Sequence, residues 1–241
     1  MRLSIIVPAH NEEAYLDLTL DSVHAAAELL RVRSDVDIET IVVDNDSNDE
    51  TATVARAKGA KVVREPLRSI ARARNTGVRH SSGDVLVFVD ADVILPPTVL
   101  HAIHTTMSNP QCVGGGVGAD YRPRRLSVRI YLRAWGLLGL VLGMVQGATQ
   151  FCRKSVFEEV GGYDESVWIG EDVDFYWELK KLTKDGHRTV KLIREPVVRP
   201  SCRRFDIWPM WKILIWTNPL FIALFRRWKP IWKGWYSDAV R

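Results

Sequence analysis

Val87-Phe88-Val89-Asp90-Ala91-Asp92 decides how the rest of this chain is read. A run of strand-forming apolar residues ends in two acids spaced i, i+2, which on extended backbone lie on the same side. Carboxylates at a strand end suit a hard divalent cation, which in turn neutralises phosphates. Two solvated acids in a strand-to-loop turn would give the same short pattern, so the flanking sequence has to decide.

Working outward, the first 120 residues alternate short β-branched runs with helical stretches. Leu3–Val7 is an apolar strand ended by Pro8, Ile38–Val43 a second, Ala60–Val63 a third and Val85–Val89 a fourth with buried character. Glu12–Arg31 carries Leu16, Leu20, Val23, Ala27 and Leu30 at helical spacing. Thr51–Lys58 reads as a short helix closed by Gly59, and Ile70–His80 as a third helix. Strands separated by helices predict an α/β fold, a mostly parallel sheet with helices on both faces. Function in such sheets sits beyond the strand C-termini. Those positions hold Pro8–Glu12, Asp44–Asp49 and Asp90–Asp92, so three polar clusters are expected to converge on one crevice. The bland role for Asp44–Asp49 is an Asx-turn and helix cap, and Asp49, with Thr51 and Thr53 just behind it, is read as such a cap.

Composition bounds the answer. The 241 residues are enough for one well-cored domain, and 46% apolar with 26% charged residues excludes a disordered chain. Cys112, Cys152 and Cys202 are widely spaced and form no CxxC pair, so neither a disulfide framework nor a zinc site is expected, and a reducing compartment fits. The N-terminal MRLSIIVPAHNEE reaches acids too soon for a secretory signal. Of the net charge of +4, the stretch Arg203–Arg241 contributes +6 and the remainder −2. A basic tail on a near-neutral body points to an anionic surface nearby and not to nucleic acid.

The second half differs. Arg122–Arg133 holds five arginines and no acid, followed by nineteen uncharged residues, Ala134–Cys152. Four glycines, two glutamines and a threonine weaken a membrane span there, and a buried or membrane-facing helix-loop segment is expected. Ile213–Phe225 is too short to span. The formal G-x-G-x-x-A match in GGGVGAD, residues 114–120, lies too far along the chain for a dinucleotide fingerprint and is read as a glycine-rich strand or loop.

Three motifs precede VFVDAD in order: SIIVPAHNEE at 4–13, VVDNDSNDET at 42–51 and ARNTG at 73–77. Together the four closely resemble the family 2 glycosyltransferases of GT-A fold, over roughly residues 2–204. The resemblance implies a Rossmann-like sheet flanked by helices, with residues 1–120 as a nucleotide-sugar half, 121–204 as an acceptor half, and 205–241 as a helical tail. It implies that Pro8, Ala9 and Glu12 sit against the nucleotide and that Asp44 accepts a hydrogen bond from its base. Arg74 would help hold base or diphosphate, Asp90 the ribose hydroxyls, and Asp92 a Mn²⁺ or Mg²⁺ bridging the phosphates. A ring of acids requires such a cation to hold a diphosphate.

Further on, GGYDESVWIGEDVDFYWELKKLTKDG, residues 161–186, places Gly170 before an acid-rich helix start. In the family the second acid of the Glu171–Asp172 pair is the general base, which assigns that role to Asp172. Glu171 and Asp174 stand beside it as like-charged neighbours, Asp174 in a structural role. Helix-dipole complementarity alone also favours acids at this place. Gln146–Gly147–Ala148 resembles the segment under the donor sugar, with Gly147 permitting close backbone approach. In one departure from the wider fold, VVRPSCRRF at 197–205 offers no histidine as a further metal ligand, and His187 reads as a surface residue. Arg203 and Arg204 there suit the donor diphosphate, or simply begin a solvated basic tail.

That tail holds six of nine tryptophans, Trp208, Trp211, Trp216, Trp228, Trp232 and Trp235, interleaved with Lys212, Arg226, Arg227, Lys229 and Lys233. Such a segment suits the headgroup region of a bilayer, and a helix packed on the core is its competitor. The resulting expectation is an inverting, metal-dependent transferase using a UDP-sugar first and a GDP-sugar second. The sequence does not identify the acceptor, which is left open among a glycan, a lipid-linked acceptor and a small molecule. It is expected in the cytoplasm, peripheral at the inner face of the membrane. A catalytically silent sugar-nucleotide or glycan-binding module is one alternative. A sugar-nucleotide nucleotidyltransferase is another, although such enzymes open with a glycine-rich loop where this chain has PAHNEE.

Overall fold

A computed structural model describes residues 1–142 and 147–232. The first unit runs β1 (Arg2–Ala9), α1 (Glu13–Arg33), β2 (Asp37–Asp44), α2 (Thr51–Ala57), β3 (Lys61–Arg64), α3 (Ile70–Arg79) and β4 (Val85–Val89). Then come β5 (Val93–Ile94), α4 (Val99–Met107), β6 (Cys112–Ala119), α5 (Leu126–Leu142), β7 (Thr149–Arg153), α6 (Lys154–Glu159), α7 (Glu171–Lys181) and β8 (Thr189–Pro200). Four short helices close the described chain: α8 (Arg203–Ile207), α9 (Met210–Trp216), α10 (Pro219–Phe225) and α11 (Lys229–Trp232).

Among the described residues the strands form one eight-stranded sheet in the order β3-β2-β1-β4-β7-β6-β8-β5. The first four strands are parallel, as the alternation of strands and helices predicts. Strand order reverses between β1 and β4, which is where open α/β sheets bind ligands. Pro8 does not end β1: it pairs with Val43, and Ala9 pairs with Asp44 at the same sheet edge. The glycine-rich GGGVGAD stretch contributes most of β6, a buried strand.

The antiparallel strand β7 is what the sequence pattern does not announce. Val89 lies opposite Thr149, so β7 begins at the edge where β4 ends. The Asp90 amide donates to Ala148 O at 3.2 Å, which sets Gly147 beside the two strand-end acids. β8 ends at the same edge: Pro200 pairs with Val93, and Ser201 N donates to Asp92 O at 2.9 Å.

Close helix-to-sheet approach completes the frame. α3 lies on β1 and β2 with Ala71, Ala73 and Gly77 inward, and a Cβ on Gly77 would collide with Ile6 Cγ2. On that face Phe88 packs with Phe157, Tyr163 and Phe175 under the start of α7. The Ala134–Cys152 run splits into the end of α5 and the start of β7; no described helix is long and apolar enough to cross a membrane. Phe88→Ala empties the centre of the aromatic cluster one residue from the acid-bearing strand end. It should cost about 3–5 kcal/mol in urea unfolding.

Candidate active site

The crevice at this sheet edge has a volume of about 820 Å³ and is lined by Pro8, Ala9, Glu12, Arg74, Asp90, Asp92, Gly147, Asp172 and Arg203. Residues up to 195 positions apart in sequence are therefore brought to one surface. Asp44, at the end of β2, is not among the residues lining the crevice; its Oδ1 accepts from Ser47 N at 3.0 Å. Its neighbour Asn45 is buried and lines the crevice. Asn45 donates to Glu65 O and Leu67 O and accepts from Ser69 N, tying the crossing from β2 into α3. Asp49 accepts from the Thr51 amide and hydroxyl and from Glu13 N, so it serves both helix starts.

Arg74 is the centre of the charge network. Its side chain is only 2% exposed and donates to Asp90 Oδ1 and to Glu171 Oε1, each at 2.8 Å. Tyr163 presents its ring face 5.1 Å from the guanidinium carbon. Sequence reading gives Arg74 a direct hold on the nucleotide and Glu171 only a like-charged presence. In the structure Arg74 is occupied by two acids, and Glu171 is its anchor on α7. Burial works against the Arg74 charge, but Asp90, Tyr163 and Glu171 outweigh it and hold its pKa above the ordinary value. Burial also raises Asp90, to about 6, with Arg74 opposing and Asp92 reinforcing the shift. The Asp90 side chain nevertheless keeps 32% of its surface open to the crevice. Burial pushes Glu171 up as well, against the pull of Arg74.

Asp172 follows Glu171 in the first turn of α7, so fixing one acid on Arg74 turns the next toward the crevice. Gln150 Nε2 donates to Asp172 O at 2.9 Å, and Tyr163 OH donates to Gln150 Oε1 at 3.0 Å, which ties this turn to β7. A Cβ placed on Gly147 would overlap the Asp172 Oδ2, Cβ and Cγ. The close approach expected at Gly147 is therefore made by the Asp172 side chain. Gln146 lies outside the described residues. Asp174 is an anchor, accepting from Arg226 Nη1 at 2.9 Å.

At the opposite wall Arg203 grips Glu12 with two bonds of 2.7 and 2.5 Å, and its Nη2 is 3.3 Å from Asp92 Oδ2. Arg203 is buried, so a solvated beginning of the basic tail is ruled out there. Its guanidinium also stacks over the Tyr15 ring at 4.4 Å, and Glu12, expected against the nucleotide, turns its carboxylate to this arginine. Arg204 also lines the crevice, and burial and Arg203 depress its pKa while Asp92 opposes them. His187 is exposed in its turn, as expected.

Among the described residues no three His, Cys, Asp or Glu side chains gather into a ready-made metal cage. The chain offers one or two carboxylates at the β4 end, with Asp92 23% exposed to the crevice. That fits a cation bound by one or two carboxylates and completed by substrate phosphates and water.

The crevice thus sets a strand-end acid pair of a mixed sheet across from a helix-borne carboxylate. Residues 4–161 match Glycosyl transferase family 2, and the chain belongs to that family. That membership argues against the nucleotidyltransferase alternative. An uncharacterized glycosyltransferase of Haemophilus influenzae is 28% identical over 213 residues, covering 81% of this chain and 66% of that protein. The matches span 24%, 66% and 45% of the first three curated relatives.

Among solved structures, the glucosyl-3-phosphoglycerate synthase of Mycobacterium tuberculosis, in complex with Mn²⁺, UDP and glucosyl-3-phosphoglycerate, superposes with a TM-score of 0.61 at 21% identity. The match covers 94% of this chain and 79% of that one. A mannosyltransferase of Pyrobaculum calidifontis in complex with GDP-Man and Mn²⁺ gives 0.61 at 22% identity, covering 82% of this chain and 56% of that one. At such identity the likeness establishes the GT-A fold. Asp172 and Arg203 lie beyond the residues that the family match covers.

Gly147→Ala should displace the Asp172 carboxylate, visible in a crystal structure of the variant. Turnover should fall about 100-fold, as small misplacements of reacting groups do. Unchanged turnover would show that Asp172 can do without its seat.

Proposed function

We propose that this chain transfers a sugar from a nucleoside-diphosphate donor to an acceptor oxygen in one in-line displacement, inverting the anomeric carbon. The observation that carries the reading is that Asp90, Asp92 and Asp172, from β4 and α7, face one crevice, the last seated against Gly147. UDP is the favoured nucleotide and GDP the second. Residues 1–120 form the donor half, 121–204 the acceptor half, and 205–241 a tail.

Pro8, Ala9 and Asp44 receive the base, Asp90 the ribose hydroxyls, and Asp92 holds Mn²⁺ or Mg²⁺. The cation, when bound, neutralises charge on the departing diphosphate. Arg203 is assigned to balancing that same charge, supported by its position 3.3 Å from Asp92. Arg74 and Glu12 act as positioning residues, Arg74 through Asp90 and Glu171, Glu12 through Arg203. Asp172 takes the proton of the acceptor as its oxygen attacks, a contribution typically of 10²–10⁴-fold.

Thermal shifts with UDP- and GDP-sugars, with and without Mn²⁺, test the donor site, because a ligand that binds the folded state raises its melting temperature. Asp92→Ala should abolish the Mn²⁺-dependent shift. Asp172→Asn should keep it while lowering nucleoside-diphosphate release at least ~100-fold. No shift with any nucleotide at millimolar concentration in the wild type would sink the reading.

A peripheral position at the cytoplasmic face of an anionic bilayer is part of the proposal. Trp208 and Ile213 are buried against Val128 and Leu132 of α5, so this part of the tail packs on the body. Other positions turn outward: Leu126, Ile130 and Leu137 form one stripe on α5, Trp211, Leu214 and Ile215 another on α9, and Leu220 and Leu224 a third on α10. Arg124, Arg129, Arg133, Arg227 and Lys229 are exposed around them, and Ile207–Trp232 contains no acid. Apolar stripes set among exposed cations complement anionic headgroups. Trp235 and Lys233 lie outside the described residues. The chain should sediment with phosphatidylglycerol vesicles and not with phosphatidylcholine vesicles. The double substitution Leu220→Glu, Leu224→Glu should cut the bound fraction at least ~10-fold without changing the nucleotide shift. Wild-type protein left in the supernatant of both would refute membrane contact.

A further inference from the structure

The crevice changes character along its length. Its donor end is built of charged groups, whereas the side chains that line it elsewhere include Leu132, Trp135, Trp168, Ile169, Trp216 and Ile222. These come from α5, from the segment entering α7, and from α9 and α10, so three distant pieces of chain are assembled into one apolar surface.

That assembly is held by polar contacts at its back. Tyr131 OH and Thr217 Oγ1 bond at 2.5 Å, joining α5 to the end of α9. Trp168 N donates to Arg226 O at 2.7 Å, and Arg226 in turn holds Asp174 on α7. Ile222 comes so near the turn into α7 that a Cβ on Gly170 would touch its Cγ2 at 3.6 Å. The tail is thus a wall of the site, fixed against the helix that carries Asp172. The wall also continues to the surface, because Leu137 lines the crevice and is 67% exposed.

A soluble glycan or a small polyol asks for a hydrogen-bonding partner at each hydroxyl, and buried polar groups left unmatched are costly. Leu132, Ile169 and Ile222 offer none. They suit methylene groups, each of which favours burial independently of direction. Arg133 and Arg204 reach the same crevice, so an anionic head is accommodated beside the apolar wall.

Resting on the transferase reading above, we infer that the acceptor is an amphiphile: a hydroxyl or phosphate oxygen presented to Asp172 on an apolar tail. The tail lies along Leu132, Trp135, Trp168, Trp216 and Ile222 and leaves past Leu137.

The test uses n-butyl phosphate and n-dodecyl phosphate as probes, below their micelle concentrations, titrated calorimetrically into the full chain. Dodecyl phosphate should bind at least ~10-fold tighter, since burying only two additional methylenes gives that ratio. Ile222→Asp should abolish the chain-length gain while preserving the Mn²⁺-dependent nucleotide shift; Trp135→Ala serves if that variant does not fold. Equal affinity for the two probes overturns the inference in favour of a polar acceptor. A gain that survives the wall substitutions overturns it too, because the tail would then sit on the outer surface. Loss of the nucleotide shift in the wild type would instead strike the transferase reading, and the chain-length ratio would still judge the wall.

Discussion

The buried guanidinium of Arg74 is the interaction on which the rest of the site depends. It reaches Asp90 at the end of β4 and Glu171 at the start of α7, both at 2.8 Å, from a helix that belongs to the parallel half of the sheet. A charge so placed is tolerable only while its partners stay in position, since an uncompensated ion in the interior is strongly destabilising. The pairing therefore does more than neutralise acids. It fixes the rotation of the first turn of α7, and Asp172, the next residue, inherits its direction. Tyr163 closes the back of the pair with its ring and holds Gln150, which binds the Asp172 carbonyl.

A second ion pair performs a similar service at the other wall. Arg203 brings the chain after β8 onto Glu12 at the mouth of β1 and comes within 3.3 Å of Asp92. Two arginines thus brace the two strand-end acids from opposite sides: Arg74 holds Asp90 and Arg203 faces Asp92. The acids remain together without mutual expulsion because each has cationic company. Both links rely on the mixed sheet, since β7 and β8 must reach the same edge as β4 to deliver Gly147 and Arg203.

The polarity of the crevice follows from the same assembly. Its charged end is built by strand termini, where backbone and acids face the opening. Its far wall is built by helices that bring side chains with few polar atoms. Trp208, Trp216 and Ile213 knit the tail to α5, and Trp232 packs on Trp216 behind them, so the apolar wall and the exposed stripes belong to one helical layer. A site polar at one end and apolar at the other favours reactants that differ in the same way.

Much of this architecture is legible in the sequence. The four parallel strands, the acids at their ends and the basic tryptophan-rich tail follow from local periodicity and from residue chemistry, which short-range forces impose directly. Asp90, Asp92 and Asp172 can be picked out because their motifs resemble a family's and because acids at strand and helix ends have evident uses. The tertiary structure alone decided what those residues touch. Arg74 holds Glu171 across 97 positions and Arg203 holds Glu12 across 191, pairings that no local pattern encodes. It also decided that the space over Gly147 belongs to Asp172 and that the tail is a wall of the crevice. The physical reason is the same in each case: residue type says what a group can bind, but only the packing of distant elements brings the partner within reach.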